Sequence, residues 1–190
     1  MKRYFNIAGP CNEDDHYMVD VIQRNKEIFS LIEQKQYFVV HAARQTGKTT
    51  TTQHFVNYLN AQNQYYALYC SLESVQTFGE AEKGIPEILD NIRLALKYSN
   101  LPNNKDFGKS ASQKYSTQIS EALRDYCIVL DKPLVLFFDE IDSLQNDTLI
   151  TFLRQIRDGF VTRGKIPFMQ SVALVGMRNI RDYKSKIRDN

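Results

Sequence analysis

The sequence predicts an α/β fold of three layers, in which helices cover both faces of a mainly parallel sheet. Strand-like and helix-like segments alternate along the chain, and this alternation favours parallel strands joined by helical crossovers. The strand-like segments are short and almost entirely apolar, as expected for strands that are covered on both faces. With 190 residues, of which 43% are hydrophobic and 24% charged, the chain has the size and composition of one globular domain.

Nine predicted elements follow one another. The strands are runs of apolar, β-branched and aromatic residues, at 37–41, 65–70, 134–138 and 171–175. The helices are segments in which apolar side chains recur every three or four residues, at roughly 20–34, 48–59, 85–96, 119–130 and 149–160. Residues 99–115 are polar and rich in Asn, Ser and Lys, which predicts a surface loop. We find no internal repeat and no low-complexity tract.

Proline and capping residues predict where some helices begin and end. Pro86 stands near the start of the third helix, where a missing N–H costs least. The fourth helix is expected to end before Pro133, because the residue before a proline disfavours the helical conformation. Asn146 or Asp147 is the expected N-cap of the fifth helix, since either side chain can accept a hydrogen bond from the first turn.

Charge, cysteines and hydropathy restrict the cellular context. The net charge of +2 is too small to indicate nucleic acid or an anionic membrane as a partner. Cys11, Cys70 and Cys127 are an odd number of cysteines without the spacing of a metal site, which favours reduced thiols in the cytoplasm. No apolar run approaches the length of about 18 residues that a membrane span needs, and the first residues do not resemble a signal peptide. We therefore expect a cytoplasmic protein with no membrane partner.

The segment between the first strand and the second helix has the pattern of a phosphate-binding loop. Gly47, Lys48 and Thr49 fill the last three positions of G-x-x-x-x-G-K-[ST], the Walker A pattern. Backbone N–H groups and the helix dipole favour phosphate at such a helix start. We expect Lys48 to neutralise the outer phosphates of a nucleotide and Thr49 to bind Mg²⁺. The predicted nucleotide-binding residues are Arg44, Gln45, Thr46, Gly47, Lys48, Thr49 and Thr50.

Ala42 stands where this pattern has its first glycine. A methyl group at that position is tolerable where the backbone φ is negative and costly where it is positive. The sequence therefore leaves open whether the loop has the geometry that phosphate binding and turnover need.

Two carboxylates follow the third strand directly. Asp139 and Glu140 come at its carboxyl end, and this edge of an open α/β sheet is where ligands bind. We expect Asp139 to bind Mg²⁺, directly or through water, as the matching acid does in phosphate-loop enzymes. Glu140 is expected to orient and activate a water molecule for attack on the terminal phosphate. For Asp142 we expect a structural or capping role.

On these residues the chain resembles the additional-strand catalytic-glutamate class of phosphate-loop ATPases, and within it AAA-like domains near the STAND and archaeal-type groups. The resemblance is carried by residues 44–49 and by Asp139 and Glu140 after an apolar strand. Residues 3–6 and 8–11 are also similar to the beginning of bacterial AAA-like ATP-binding proteins. The resemblance covers nearly the whole chain and implies the phosphate-loop NTPase fold, with ATP and Mg²⁺ as cofactors.

The resemblance implies further parts of the machinery. In this class the strand after the acidic one ends in a sensor of the terminal phosphate, a role that Arg178 or Asn179 would fill, with a solvated charge as the alternative for Arg178. The class also has a fifth strand and a helical lid, which this sequence does not show, so we expect a fragment or a truncated product with slow turnover. The predicted division is an N-terminal segment and helix at 1–35, an ATPase core at 36–178, and a basic tail at 179–190.

The predicted function is Mg²⁺-dependent ATP hydrolysis that acts as a conformational switch on an attached domain or assembly. One alternative is a nucleotide-binding interaction module with little hydrolysis, which Ala42 and the missing lid favour and Glu140 opposes. A second alternative is a small-molecule or nucleotide kinase, which the Asp-Glu pair opposes because a kinase must exclude water. The sequence does not distinguish ATP from GTP.

Partners other than the nucleotide are less defined. The resemblance implies a protein partner, or self-association through the missing domains. It also implies that segments ahead of the first strand can touch the adenine base, with Tyr4, Phe5 and Tyr17 as candidates. Cations near the C-terminal end leave a nucleic-acid surface open, although no stacking motif accompanies them and a solvated face is the favoured explanation. They are Arg154, Arg157, Arg163, Lys165, Arg178, Arg181, Lys184, Lys186 and Arg188.

Overall fold

The centre of the protein is a parallel four-stranded sheet. The computed structural model describes residues 3–6, 11, 14–17, 20–43 and 45–177. Within them the strands are β1 (Tyr37–His41), β2 (Tyr66–Ser71), β3 (Leu134–Asp139) and β4 (Ser171–Gly176). Their order is β1-β4-β3-β2, and every pairing is parallel. The predicted parallel α/β sheet is therefore confirmed, with β3 and β4 buried at its centre and β1 and β2 at its edges.

Helices cover both faces of this sheet. Across the described residues they are α1 (Val21–Arg24), α2 (Glu27–Glu33), α3 (Lys48–Gln62), α4 (Ala81–Tyr98), α5 (Gln118–Val129) and α6 (Asn146–Thr162). Short 3₁₀ turns lie at Glu73–Thr77, Asn104–Asp106 and Ile141–Ser143. None of these helices is both long enough and apolar enough to cross a membrane.

Alternate residues of β3 explain why its sequence is continuously apolar. Val135 and Phe137 belong to a core with residues of α2 and α3. Leu134, Leu136 and Phe138 belong to a second, larger core with residues of α4, α5 and α6. A strand with a core on each side has no solvated face, so it has no polar alternation.

The prediction of one continuous first helix is wrong. Residues 20–34 form two helices, with a break between Arg24 and Glu27. The cause is Asn25, whose side-chain amide donates to the carbonyl of Val21 at 2.8 Å. A short polar side chain that binds the nearby backbone in this way competes with the helical hydrogen-bond ladder.

Two predicted helix starts also need correction. α4 begins at Ala81, so Pro86 lies in its second turn rather than near its start. α6 begins at Asn146 with Gln145 as N-cap, so neither Asn146 nor Asp147 caps it. The side chain and backbone of the third residue of α6, Thr148, instead donate to the carbonyls of Phe78 and Gly79. A tertiary contact thus provides a hydrogen-bond acceptor for an N–H group of the first turn, where a local cap was expected to provide one.

Candidate nucleotide site

The phosphate-loop motif forms the predicted turn between β1 and α3. Gly47 precedes α3 with φ +82°, in the left-handed region that glycine adopts without cost, and Gln45 has φ +59°. The φ of Ala42 is not positive, and its N–H donates to the carbonyl of Gly176 at 3.3 Å, which extends the ladder between β1 and β4. The methyl group of Ala42 therefore causes no backbone strain where the pattern has glycine.

The side chain of Lys48 is hydrogen-bonded to backbone carbonyl groups of the phosphate loop. Its Nζ donates to the carbonyl oxygens of Ala42 and Ala43, each at 2.8 Å. Thr46 Oγ1 donates to the same carbonyl of Ala43, also at 2.8 Å. Among the described residues the bonds from Nζ occupy two of the three donors of the ammonium group, which leaves one for a ligand. The first helical hydrogen bond runs from the N–H of Thr51 to the carbonyl of Gly47, so the N–H groups before it lie outside the helical ladder.

Asp139 connects the loop to the acidic strand. Its side chain is only 1% exposed, and Thr49 Oγ1 donates to its Oδ2 at 2.7 Å although the two residues lie 90 apart in the chain. Tyr69 donates its phenol proton to the same oxygen at 2.9 Å, and the N–H of Glu140 donates to Oδ1 at 2.9 Å. A buried carboxylate is tolerated only when it is hydrogen-bonded in this manner.

Glu140 lies where the chain turns out of β3. Its backbone is left-handed, with φ 56° and ψ 43°, and it leads directly into the 3₁₀ turn Ile141–Ser143. Burial raises the pKa of its carboxyl, and the charges of Asp139 and Asp142 raise it further against the opposing effect of Lys48. A carboxylate whose pKa moves towards neutrality is a better proton acceptor for water.

Asp142 joins the turn after β3 to the end of β4. Its Oδ2 accepts the N–H of Met177. A Cβ built at Gly176 would lie 2.9 Å from both carboxylate oxygens of Asp142 and 2.8 Å from Ile141, so only glycine permits this approach. Asp142 therefore has the structural role expected from the sequence, although it does not cap a helix.

Several predicted residues lie outside the described ranges. They are Arg44 of the phosphate loop, the sensor candidates Arg178 and Asn179, and the tail cations Arg181, Lys184, Lys186 and Arg188.

A pocket of about 450 Å³ adjoins the phosphate loop. The segment before β1 lines it with Cys11, Tyr17, Val21, Arg24, Asn25 and Ile28. The rest of the lining comes from the loop, α3, and Val40 and Phe137 of the sheet. The N–H of Cys11 donates to Thr50 Oγ1 at 3.2 Å, which ties the N-terminal segment to α3. This volume is in the range of small-molecule sites. Of the three aromatic candidates for base contact, Tyr17 lines the pocket, whereas Tyr4 and Phe5 do not. All three are more than half exposed.

The donor set fits Mg²⁺ held together with a nucleotide. Among the described residues no group of three or more His, Cys, Asp or Glu side chains could hold a metal ion alone. Mg²⁺ prefers hard oxygen ligands and is commonly bound by one or two carboxylates plus substrate phosphates and water. Thr49 and Asp139 offer one hydroxyl and one carboxylate beside the phosphate loop, which suits that mode of binding.

Sequence reasoning missed two parts of this site. The first is Tyr69, which has no motif around it and is one of two tyrosines in β2. The second is the contribution of α1 and α2 to the pocket through Val21, Arg24 and Ile28. Neither carries a motif, because both depend on which segments pack together.

Comparison with known proteins places the fold in a family. A family model described as an AAA domain matches residues 32–183. The ORC1 protein of Aeropyrum pernix, solved in complex with DNA, is similar over 88% of this chain and 42% of its own, with 14% identity and a TM-score of 0.51. The ORC2 protein of the same organism, solved in ADPNP–ADP complexes, is similar over 96% of this chain and 48% of its own, with 13% identity and a TM-score of 0.49. No curated protein matches in sequence.

At such identities the likeness to ORC1 shows the fold alone, which is that of a phosphate-loop NTPase. This chain spans less than half the length of either protein.

Proposed function

The chain belongs to the AAA domain family of phosphate-loop ATPases, and from this premise we propose that it binds ATP with Mg²⁺ and hydrolyses it. The observation that carries the proposal is the 2.7 Å hydrogen bond between Thr49 Oγ1 and Asp139 Oδ2. It joins the residue that would bind Mg²⁺ from the phosphate loop to the residue that would bind it from the acidic strand. A helix cap formed by chance would not bring these two side chains together.

Each residue has a defined task in this proposal. The backbone of residues 44–50 and the Lys48 ammonium bind the phosphates, since both present positive charge at the start of α3. Thr49 and Asp139 hold Mg²⁺, which when bound neutralises charge on the phosphate oxygens. Glu140 accepts a proton from the attacking water, because its raised pKa suits a general base. Arg178, with Asn179 as the alternative, is proposed as the sensor of the terminal phosphate on the basis of the resemblance.

The pocket beside the loop is the proposed site of the nucleobase. Tyr17 offers an aromatic face and Ile28 an apolar wall, and stacking on aromatic side chains favours bases of any kind. This chemistry does not choose adenine over guanine, so ATP is proposed from the family. We retain the division into an N-terminal segment at 1–35, a core at 36–178 and a tail at 179–190, because the N-terminal segment supplies one wall of the pocket.

We propose that the output is a conformational change passed to an attached domain or a protein partner. A cytoplasmic location is proposed from the three cysteines, all of which are free thiols. Nucleic acid is a further partner to test, because the similar ORC1 protein is in complex with DNA and Arg154 and Arg157 lie on α6.

The test is nucleotide binding and phosphate release, measured for the wild type, Lys48→Ala and Glu140→Gln. We expect Lys48→Ala to abolish binding of Mg²⁺–ATP. Glu140→Gln should retain binding and lower phosphate release by about 100-fold or more, the range of a lost general base. Glu73→Gln is the matched control, because Glu73 is an exposed acid whose charge acts on Glu140, and it should keep most of the rate.

Each other outcome selects an alternative. Tight binding by the wild type without phosphate release would indicate a non-hydrolysing interaction module. Phosphate that appears on an added acceptor rather than in solution would indicate a kinase. Equal rates for the wild type and Glu140→Gln would show that Glu140 is not the base.

A further inference from the structure

Tyr69 reaches the candidate metal ligand from the neighbouring strand. β2 pairs with β3 so that Ser71 lies opposite Asp139, and Tyr69 is two residues earlier on β2. Two residues of a strand span about 6.6 Å, a distance that the long tyrosine side chain bridges and a shorter one would not. The phenol oxygen lies 2.9 Å from Asp139 Oδ2 as a result.

The two side chains that donate hydrogen bonds to Asp139 would have different roles once Mg²⁺ is bound. Thr49 and Tyr69 both donate to Oδ2, but the Thr49 oxygen is itself a proposed ligand of Mg²⁺. Tyr69 is then the side-chain donor that holds the carboxylate without binding the metal. A phenol of ordinary tyrosine pKa, about 10, is protonated at neutral pH, so the group is a hydrogen-bond donor there.

We propose that Tyr69 is a positioning residue, which fixes the Asp139 carboxylate in the orientation that binds Mg²⁺. The inference rests on the proposed function, in which Asp139 binds that ion. Groups that hydrogen-bond to a metal ligand set its orientation, and their loss typically weakens metal binding by about 10–100-fold. In this proposal Tyr69 acts through Asp139 and is not itself a ligand of the metal.

Removing the hydroxyl should leave the fold intact. Tyr69 is half-buried and lines an open groove along the edge of β2. Tyr69→Phe only removes an oxygen atom, so it neither crowds its neighbours nor leaves a sealed cavity. Tyr66 supplies a matched control on the same strand. Its phenol also donates to a carboxylate, Asp131 Oδ1, at 2.7 Å, but that pair is exposed and distant from the phosphate loop.

The experiment is a titration of Mg²⁺ at a fixed concentration of fluorescent ATP analogue, with wild type, Tyr69→Phe and Tyr66→Phe. We expect Tyr69→Phe to raise the half-saturating Mg²⁺ concentration about 10-fold or more, with unchanged nucleotide affinity in EDTA. Tyr66→Phe should titrate like the wild type. If thermal melting shows that Tyr69→Phe is unfolded, Tyr69→Met takes its place.

Two failures are distinguishable. If the wild type binds in a Mg²⁺-dependent manner and Tyr69→Phe has the same half-saturating concentration, the positioning role is wrong and the proposed function stands. If the wild type shows no Mg²⁺ dependence or no binding at all, the proposed function fails and the role of Tyr69 fails with it.

Discussion

Gly159 lies in α6 and faces Phe168 of the segment before β4. A Cβ built on Gly159 would lie 2.0 and 2.1 Å from Cε1 and Cζ of Phe168. Carbon atoms of this kind pack at about 3.5–4.0 Å, so the ring or the helix would have to move by about 1.5 Å or more. Phe168 is 9% exposed and Met169 beside it is fully buried. The ring has little room to move, and Gly159→Ala should be destabilising.

The size of the effect follows from two opposing terms. Alanine is favoured over glycine in a helix by about 1 kcal/mol. An added group in a packed core costs about 1–3 kcal/mol, and the misfit at Phe168 places Gly159→Ala at the upper end. We expect a net loss of about 1–2 kcal/mol in the free energy of unfolding. In a domain of this length that lowers Tm by about 2–8 °C.

Thermal and urea denaturation of Gly159→Ala would measure this loss. Gly164→Ala is the control, because a Cβ there would meet nothing within 4 Å and φ at Gly164 is not positive; it should be neutral or slightly stabilising. Phe168→Leu combined with Gly159→Ala should recover part of the loss, since the two sites are in contact. A Gly159→Ala protein as stable as the wild type would refute the packing argument.

Two further predictions concern the site and the sheet edge. Glu140→Gln should raise Tm at neutral pH without nucleotide, because folding raises the pKa of this carboxyl and so disfavours its ionised form. The gain in Tm should vanish below the ordinary glutamate pKa of about 4.3, where Glu140 is protonated in both the folded and the unfolded protein. An equal gain in Tm at every pH would contradict this prediction. Asn60→Ala removes two hydrogen bonds of 2.9 Å to the backbone of Ala67 at the free edge of β2. We expect the free energy of unfolding, measured by urea denaturation, to fall by about 1–2 kcal/mol. Light scattering should show more self-association, because the backbone of an edge strand is uncovered. Asn57→Ala, at an exposed position of the same helix, is the control and should behave like the wild type.

The strands were predictable because their signal is local. A strand such as β3 lies between two cores, so its burial appears in the sequence as an unbroken apolar run. Helix ends were predicted less well, because single side chains decide them. Asn25 breaks the first helix by binding one carbonyl, and Thr148 replaces a local cap with a contact to the loop at Phe78. Helical periodicity contains neither event.

The question raised by Ala42 also needed the structure. An alanine at position 42 does not by itself reveal whether its backbone φ is positive or negative. The hydrogen bond from the N–H of Ala42 to the carbonyl of Gly176 belongs to the ladder between β1 and β4. That ladder depends on which strand lies beside β1. The sequence order of the strands does not reveal it, because a parallel crossover can place the next strand on either side.

The sequence by itself determined the order of the elements and the chemistry at their junctions. Gly47 and Lys48 after a strand indicate phosphate binding wherever they occur in that context, since the backbone and charge they need are local. The tertiary structure alone decided the strand order β1-β4-β3-β2, and with it the hydrogen bonds of Thr49 and Tyr69 to Asp139. The physical reason is that a side-chain hydrogen bond across strands depends on neighbour and register, and these are set by the packing of the whole core.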